Sequence, residues 1–184
     1  MSVMKLISFD ARDGRKIHGW LTLPKGSDGK NLPLIVNPHG GPHGPYDEWG
    51  FNPEVQLFVS RGYAVLQPNF RGSGGFGKEF QESGYRQWGG TMQDDVTDAT
   101  LWAIKEGIAD KDRVCIYGAS YGAYAALMGV AKEPDLYQCA IGFVGVYDLK
   151  TMYKRGDIRE RDSGVEFLEE ILGTNDSDLA ARSP

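Results

Sequence analysis

The stretch RVCIYGASYGAYAALMGV, residues 113–130, passes from a strand-like apolar run into an alanine-rich helical one through Gly118-Ala119-Ser120-Tyr121-Gly122. A serine set in G-x-S-x-G between strand and helix has a geometric reading. The turn is so tight that side chains on either side of the serine would collide, and the two glycines remove the clash. The serine hydroxyl is thereby lifted above the edge of a sheet. The amide of Tyr121 opens the helix, where free N–H groups and the helix dipole favour a developing negative charge. Small residues Ala123, Ala125, Ala126 and Gly129 let that helix lie close to the sheet.

Working outward, the same alternation recurs. KLISFDA and KIHGWLTLP are two strands joined by RDGR, with Gly14 suited to positive φ. LPLIVNP is a buried strand. EVQLFVSR, residues 54–61, is a short helix closed by Gly62, and YAVLQPNF is the next strand. From Thr91 to Lys105 the apolar positions Met92, Val96, Ala99 and Ala103 keep helical spacing, with Asp94 and Asp95 in the first turn. After the nucleophile-like turn come strand CAIGFVGV and the amphipathic helix VEFLEEILG, which Gly173 stops. Strands that are almost continuously apolar, alternating with helices, predict an α/β class with a mostly parallel sheet covered on both faces.

Two glycine-rich loops bear on function. His39-Gly40-Gly41-Pro42 follows the third strand, where this architecture needs a second backbone donor for an oxyanion; Gly41 is the first choice and Gly40 the second. His39 reads as a brace for that loop. Gly72-Ser73-Gly74-Gly75-Phe76-Gly77 matches G-x-G-x-x-G, yet KEFQESGYRQWGG separates it from the next clear helix, and the unit is not the first of the fold. It reads as a mobile loop at the rim of the site, and a nucleotide site is set aside.

Composition narrows the classes. A chain of 184 residues suits one domain with a sizeable core, and four tryptophans argue for a folded globule. The net charge of −5 with scattered Lys and Arg speaks against nucleic acid or anionic membrane as partners. No apolar run reaches the length of a membrane span and no signal-peptide core opens the chain, so cytoplasmic is the expected location. Cys115 and Cys139 both fall in strand-like runs and read as buried free thiols.

The motifs HGGPHG, PNFRGSGGFG, WGGTMQDDVTDAT and DRVCIYGASYGAYAALM, in that order, resemble the catalytic domain of the prolyl oligopeptidase family, with the acylaminoacyl-peptidase branch nearest. The likeness runs from ISFDARDGRKIHGWLTLP to ARSP. It implies a single α/β-hydrolase domain over residues 1–184, without a β-propeller and without the last strands of the sheet. It implies serine hydrolysis of short peptides, acyl-peptides or small esters, with no metal or cofactor. By motif, Ser120 is the nucleophile, Tyr121 and Gly41 supply oxyanion amides, and Arg71 is structural.

The family's catalytic acid and histidine follow two further strands, beyond Pro184, so the order Ser, acid, His stops after Ser. Three histidines remain as candidates for the base. His18 belongs to the opening hairpin, far by topology from the carboxyl edge of the sheet, and reads as a surface residue. His43 lies beside the oxyanion loop and could approach Ser120. Asp148 ends a strand where some hydrolases place their acid, though a capping aspartate is the alternative. Three accounts stay open: a truncated domain of low activity, where oxyanion hole and binding alone retain on the order of 10³ over water; a homo-oligomer or complementary fragment that completes the site through an open sheet edge; or a binding module that keeps the turn as a relic.

Overall fold

In the computed structural model, which describes residues 2–184, β1 (Met4–Asp10) and β2 (Lys16–Thr22) pair antiparallel from Met4↔Thr22 to Asp10↔Lys16. Gly14 takes φ 83° in the turn between them, a value open to glycine without a Cβ penalty. Then follow β3 (Leu32–Val36), α1 (Pro53–Ser60), β4 (Ala64–Asn69), α2 (Lys78–Glu82), α3 (Thr91–Lys105), β5 (Ala109–Ala119), α4 (Tyr121–Lys132) and β6 (Cys139–Phe143). The short α5 (Leu149–Met152), α6 (Asp162–Leu172) and α7 (Asp176–Ala181) complete the chain. The six strands form one sheet in the order β1-β2-β4-β3-β5-β6, with β3 to β6 parallel. All four parallel strands therefore end at one edge, where Ser120 follows β5.

Side-chain alternation divides each strand between two cores. Leu34, Val36, Val114 and Ile116 face Met92, Val96, Tyr124 and Ala125 of α3 and α4 in the main core. Ile35 and Val65 face Val55 and Val59 of α1 in a smaller one. Helix α1 begins where the sequence provides for it: the Asn52 side chain accepts from the amides of Glu54 and Val55, and Pro53 fills the first turn, which needs no donor. Gly173 ends α6 with φ 79°, as its position predicts. Arg71, buried after β4, donates to Asp95 of α3 from Nε at 2.8 Å and Nη2 at 2.7 Å, and from Nη1 to Asp13 of the hairpin at 2.7 Å. Asp95 first and Asp13 second push the guanidinium further up, so the fork stays a cation and ties three segments together. Among the described residues no helix is long and apolar enough to cross a membrane.

The structure corrects three expectations. Cys115 and Cys139 are not free thiols: they are direct partners on β5 and β6 and form a disulfide. Adjacent strands bring the two side chains to one face, which spacing in the sequence does not reveal. This removes the cysteine argument for a reducing compartment. His18 is not far from the carboxyl edge. Because β2 runs antiparallel to β4, His18 lies opposite Asn69, the last residue of β4. It is still three strands from β5, about 14 Å at the usual strand spacing, and it stacks on Phe76 with ring centroids 5.5 Å apart. Finally, β6 stops at Phe143, short of Val146, because Val144 takes φ 46° and turns the chain out of the sheet.

Candidate active site

Ser120 occupies the junction of β5 and α4 with φ 56° and ψ −119°, a left-handed conformation that costs a non-glycine residue free energy. The surrounding glycines explain why it persists. A Cβ at Gly118 would stand 2.5 Å from the backbone of Gly122, and one at Gly122 would overlap the Pro38 carbonyl. Only glycine lets strand, turn and helix close this tightly. The Ser120 side chain is exposed at the sheet edge, and its backbone N–H donates to the Phe143 carbonyl on β6 at 3.0 Å. Its hydroxyl has no hydrogen-bond partner among the described residues.

Helix α4 starts at Tyr121; the amides of Tyr121 and Gly122 find no carbonyl among the described residues, whereas the Ala123 amide donates to the Ser120 carbonyl at 3.1 Å. The first two are free donors beside the Ser120 hydroxyl, at the positive end of a twelve-residue helix. The Tyr121 side chain turns the other way. It is wholly buried against Trp88 at 4.5 Å, Phe70 at 5.4 Å and Tyr124 at 5.5 Å, and burial pushes its phenol well above the ordinary value. Tyr121 thus offers backbone to the site and side chain to the core.

The loop after β3 reaches the same place. A Cβ at Gly40 would stand 3.4 Å from the Ser120 Cβ and 3.2 Å from the Ala119 carbonyl, so Gly40 lies against the turn. Gly41 follows with φ 120°. His39 fixes this peptide: its Nδ1–H donates to the Gly40 carbonyl at 2.8 Å, its Nε2 meets the Ser73 hydroxyl at 2.7 Å, and its ring stacks on Phe70 at 4.4 Å. Holding the Gly40 carbonyl sets the direction of the Gly41 N–H, which shares the same rigid peptide plane. Burial lowers the His39 pKa to about 4, so the ring is neutral and acts as a brace.

Neither remaining candidate for acid or base is hydrogen-bonded to Ser120. His43 accepts the Trp88 indole N–H on Nε2 at 3.2 Å and packs edge-on against Tyr85 at 5.0 Å, and burial brings its pKa down to about 4. Its basic nitrogen is already engaged. Asp148 is exposed and caps α5, accepting from the Thr151 amide at 3.0 Å and the Thr151 hydroxyl at 2.9 Å. Those bonds hold its carboxylate below the ordinary range. Among the described residues no three His, Cys, Asp or Glu side chains converge in a way that could hold a metal.

Residues 72–77 divide into a buried half and an exposed half, Gly75 to Gly77 being exposed. Gly72, Ser73 and Gly74 are buried, and their amides donate to the carbonyls of Phe80, Phe70 and Pro45. A five-residue helix, α2, does follow directly, which the sequence reading passed over. With those amides committed to carbonyls, they are not left to cradle a phosphate. What sequence reasoning missed altogether is Val144: its φ of 46° next to Phe143, on the strand that receives the Ser120 amide, carries no glycine to announce it.

Comparison with known proteins places this geometry. A model of the prolyl oligopeptidase family matches residues 49–178. Dipeptidyl aminopeptidase BIII of Pseudoxanthomonas mexicana is 41% identical over 153 residues, covering 79% of this chain and 22% of its own length. Dipeptidyl peptidase family member 6 of Caenorhabditis elegans is 38% identical over 168 residues, covering 79% and 23%. An acylaminoacyl peptidase from Pyrococcus horikoshii superposes with a TM-score of 0.87 at 29% identity, over 100% of this chain and 29% of its own. A puromycin hydrolase superposes with a TM-score of 0.87 at 27% identity, over 100% and 28%. The sheet is that of an α/β-hydrolase, and the chain spans about a quarter of the length of these relatives.

Proposed function

The chain belongs to the prolyl oligopeptidase family, and from that premise we propose that it is a serine hydrolase acting through an acyl-enzyme on Ser120. The relatives are named as peptidases, which supports hydrolysis of peptide bonds as the family's chemistry. The observation that carries the reading is Ser120 itself: exposed, held at φ 56° by two glycines, at the N-terminus of a helix with free amides. In the proposed reaction the Ser120 oxygen attacks a substrate carbonyl. Negative charge develops on the carbonyl oxygen, which the amides of Tyr121 and of Gly41 or Gly40 receive. Each such donor is worth about 10²–10³ in rate where it has been removed from comparable enzymes. The amine or alcohol leaves, and water then cleaves the acyl-serine.

The proton acceptor is the unsupplied part. His39 and His43 are half-buried, neutral and engaged by Gly40 and Trp88, and His18 lies three strands away. We therefore assign the base to polypeptide that approaches the Ser120 edge beside β6, either further chain or a second copy. Short peptides and acyl-peptides are the proposed substrates, and small esters, whose leaving groups need less protonation, are the reaction to detect first. A second reading, a binding module without turnover, draws on the same absence of a described base at Ser120.

One experiment separates them. Intact mass after exposure to a fluorophosphonate should show one adduct per chain, lost in Ser120→Ala at unchanged circular dichroism. A folded protein that takes no adduct at any concentration, whether alone or with further chain joined to it, rejects the hydrolase reading. Labelling that rises faster than linearly with protein concentration identifies a second copy as the source of the base.

A further inference from the structure

Strand β6 is the edge strand of the sheet beside the site. It has five residues, pairs only with β5, and leaves Ile141 and Phe143 on its outer face 55% and 61% exposed. Two ties hold it to the strand that carries Ser120. At its start Cys139 lies opposite Cys115 of β5, with Cα atoms 4.7 Å apart, and the disulfide joins them. At its end the Phe143 carbonyl accepts the Ser120 amide. The next residue, Val144, is exposed and stands at φ 46°, a conformation a β-branched residue does not choose unaided. The Tyr147 ring closes the segment, lying where a Cβ at Gly142 or Gly145 would stand. Two left-handed residues, Ser120 and Val144, are thus linked through one hydrogen bond at Phe143, and the covalent tie upstream keeps that bond in register.

We propose that the Cys115–Cys139 disulfide is a redox-sensitive clip that holds β6 in place and thereby sets the geometry of the Ser120 turn. Oxidised, it keeps the Phe143 carbonyl on the Ser120 amide. Reduced, β6 frays from β5 and the turn relaxes. Both cysteines are half-buried on the face where the outer side chains of β6 are exposed, so a thiolate can reach them. The chain has two cysteines, so no third thiol diverts the exchange. The reductant is a dithiol. One thiolate attacks a sulfur of the pair and expels the other as a thiolate, which takes a proton. The second thiol of the reductant then displaces the remaining cysteine from the mixed disulfide. The protein gains two electrons and two protons, and the dithiol becomes a cyclic disulfide.

The structural part of this proposal stands independently of the Ser120 chemistry, and its consequence for activity rests on that reading. The test is amide hydrogen exchange of the protein with and without dithiothreitol, beside the double variant Cys115→Ser/Cys139→Ser and with alkylation to count thiols. The expected result is no alkylation before reduction and two adducts after it. Exchange at Ser120 and across residues 140–143 should rise tenfold or more on reduction, while Val96 and Val114 stay protected. The double variant should match the reduced protein and ignore the reductant. Fluorophosphonate labelling should fall by a similar factor on reduction. Two adducts before reduction, exchange at Ser120 unchanged within twofold, or loss of protection at Val96 as well would each overturn the clip. Absence of labelling in both redox states rejects the nucleophile assignment, and the exchange data then decide the clip by themselves.

Discussion

Asp47, on the loop between β3 and α1, is the group whose replacement should most clearly stabilise the fold. Its backbone is well held: the amide donates to Asn69 Oδ1 at 2.8 Å, and the carbonyl accepts from Trp20 Nε1 at 3.0 Å and Asn69 Nδ2 at 2.9 Å. Its carboxylate is not. Oδ1 accepts from Gln67 Nε2 at 2.8 Å, while Oδ2 and the neighbouring Gln67 Oε1 are buried without a partner. Among the described residues no cation pairs with it, and burial raises the pKa to about 6 from the ordinary 3.8. The sign follows from linkage. The unfolded chain ionises this group near 3.8 and the folded protein only near 6, so the folded state loses stability as pH rises through that window. The full loss is about 3 kcal/mol above pH 7, of which about 2 kcal/mol develops between pH 4.5 and 7.5. Asp47→Asn removes the charge and keeps an oxygen for Gln67. Urea unfolding of both proteins across that range isolates the effect, because His39 and His43 titrate equally in each. The stability gained by the variant should widen by about 2 kcal/mol with rising pH. A gap that stays constant within 0.5 kcal/mol (about a third of one pKa unit), or a variant weaker at every pH, would refute the reasoning.

Two further substitutions probe the site and its support. Ser120→Gly should raise stability by about 1 kcal/mol while abolishing fluorophosphonate labelling, since glycine adopts φ 56° without strain; thermal unfolding and intact mass check the two halves. Arg71→Met should cost about 3–5 kcal/mol in urea unfolding by leaving the Asp95 carboxylate, 0% exposed, without its partner. Adding Asp95→Leu to that variant should restore most of the loss, because the pair's own net contribution is small.

Much of this fold is legible in the sequence alone. Thr91–Lys105 agrees with the helix read from apolar spacing, burying Met92, Val96, Ala99 and Ala103 with Asp94 in its first turn. Tyr121–Lys132 agrees with the alanine-rich run after the Ser120 turn, buried without a break from Tyr121 to Ala126. Gly14, Gly62 and Gly173 mark turns with positive φ, which glycine announces in a sequence. The illegible parts share a cause. The Cys115–Cys139 pairing, the place of His18 beside Asn69 and the hold of Trp88 on His43 each depend on which strand or loop lies next to which. Val144 shows the other limit: a left-handed valine is imposed by its neighbours and contradicts its own preference. For the site, the turn around Ser120 could be read from two glycines, whereas the brace formed by His39, Ser73 and Phe70 joins residues 34 positions apart and could not.

The two glycine-rich loops also constrain how this protein can change over generations. A Cβ at Gly74 would overlap the Gly44 carbonyl, one at Gly75 would stand 3.0 Å from the Tyr46 ring, and one at Gly72 would stand 3.1 Å from the His43 ring. The loops touch at three points: at Gly74 the contact is with backbone, so a side chain there requires the Gly44 peptide to shift, while at Gly72 and Gly75 the His43 and Tyr46 rings must give by a few tenths of an ångström. A single step at Gly74 passes through a clash, and a side chain there is viable only with a compensating change around Gly44. Diversification of specificity in descendants of this chain should therefore concentrate elsewhere, in segments that meet the Ser120 edge from outside this interlock.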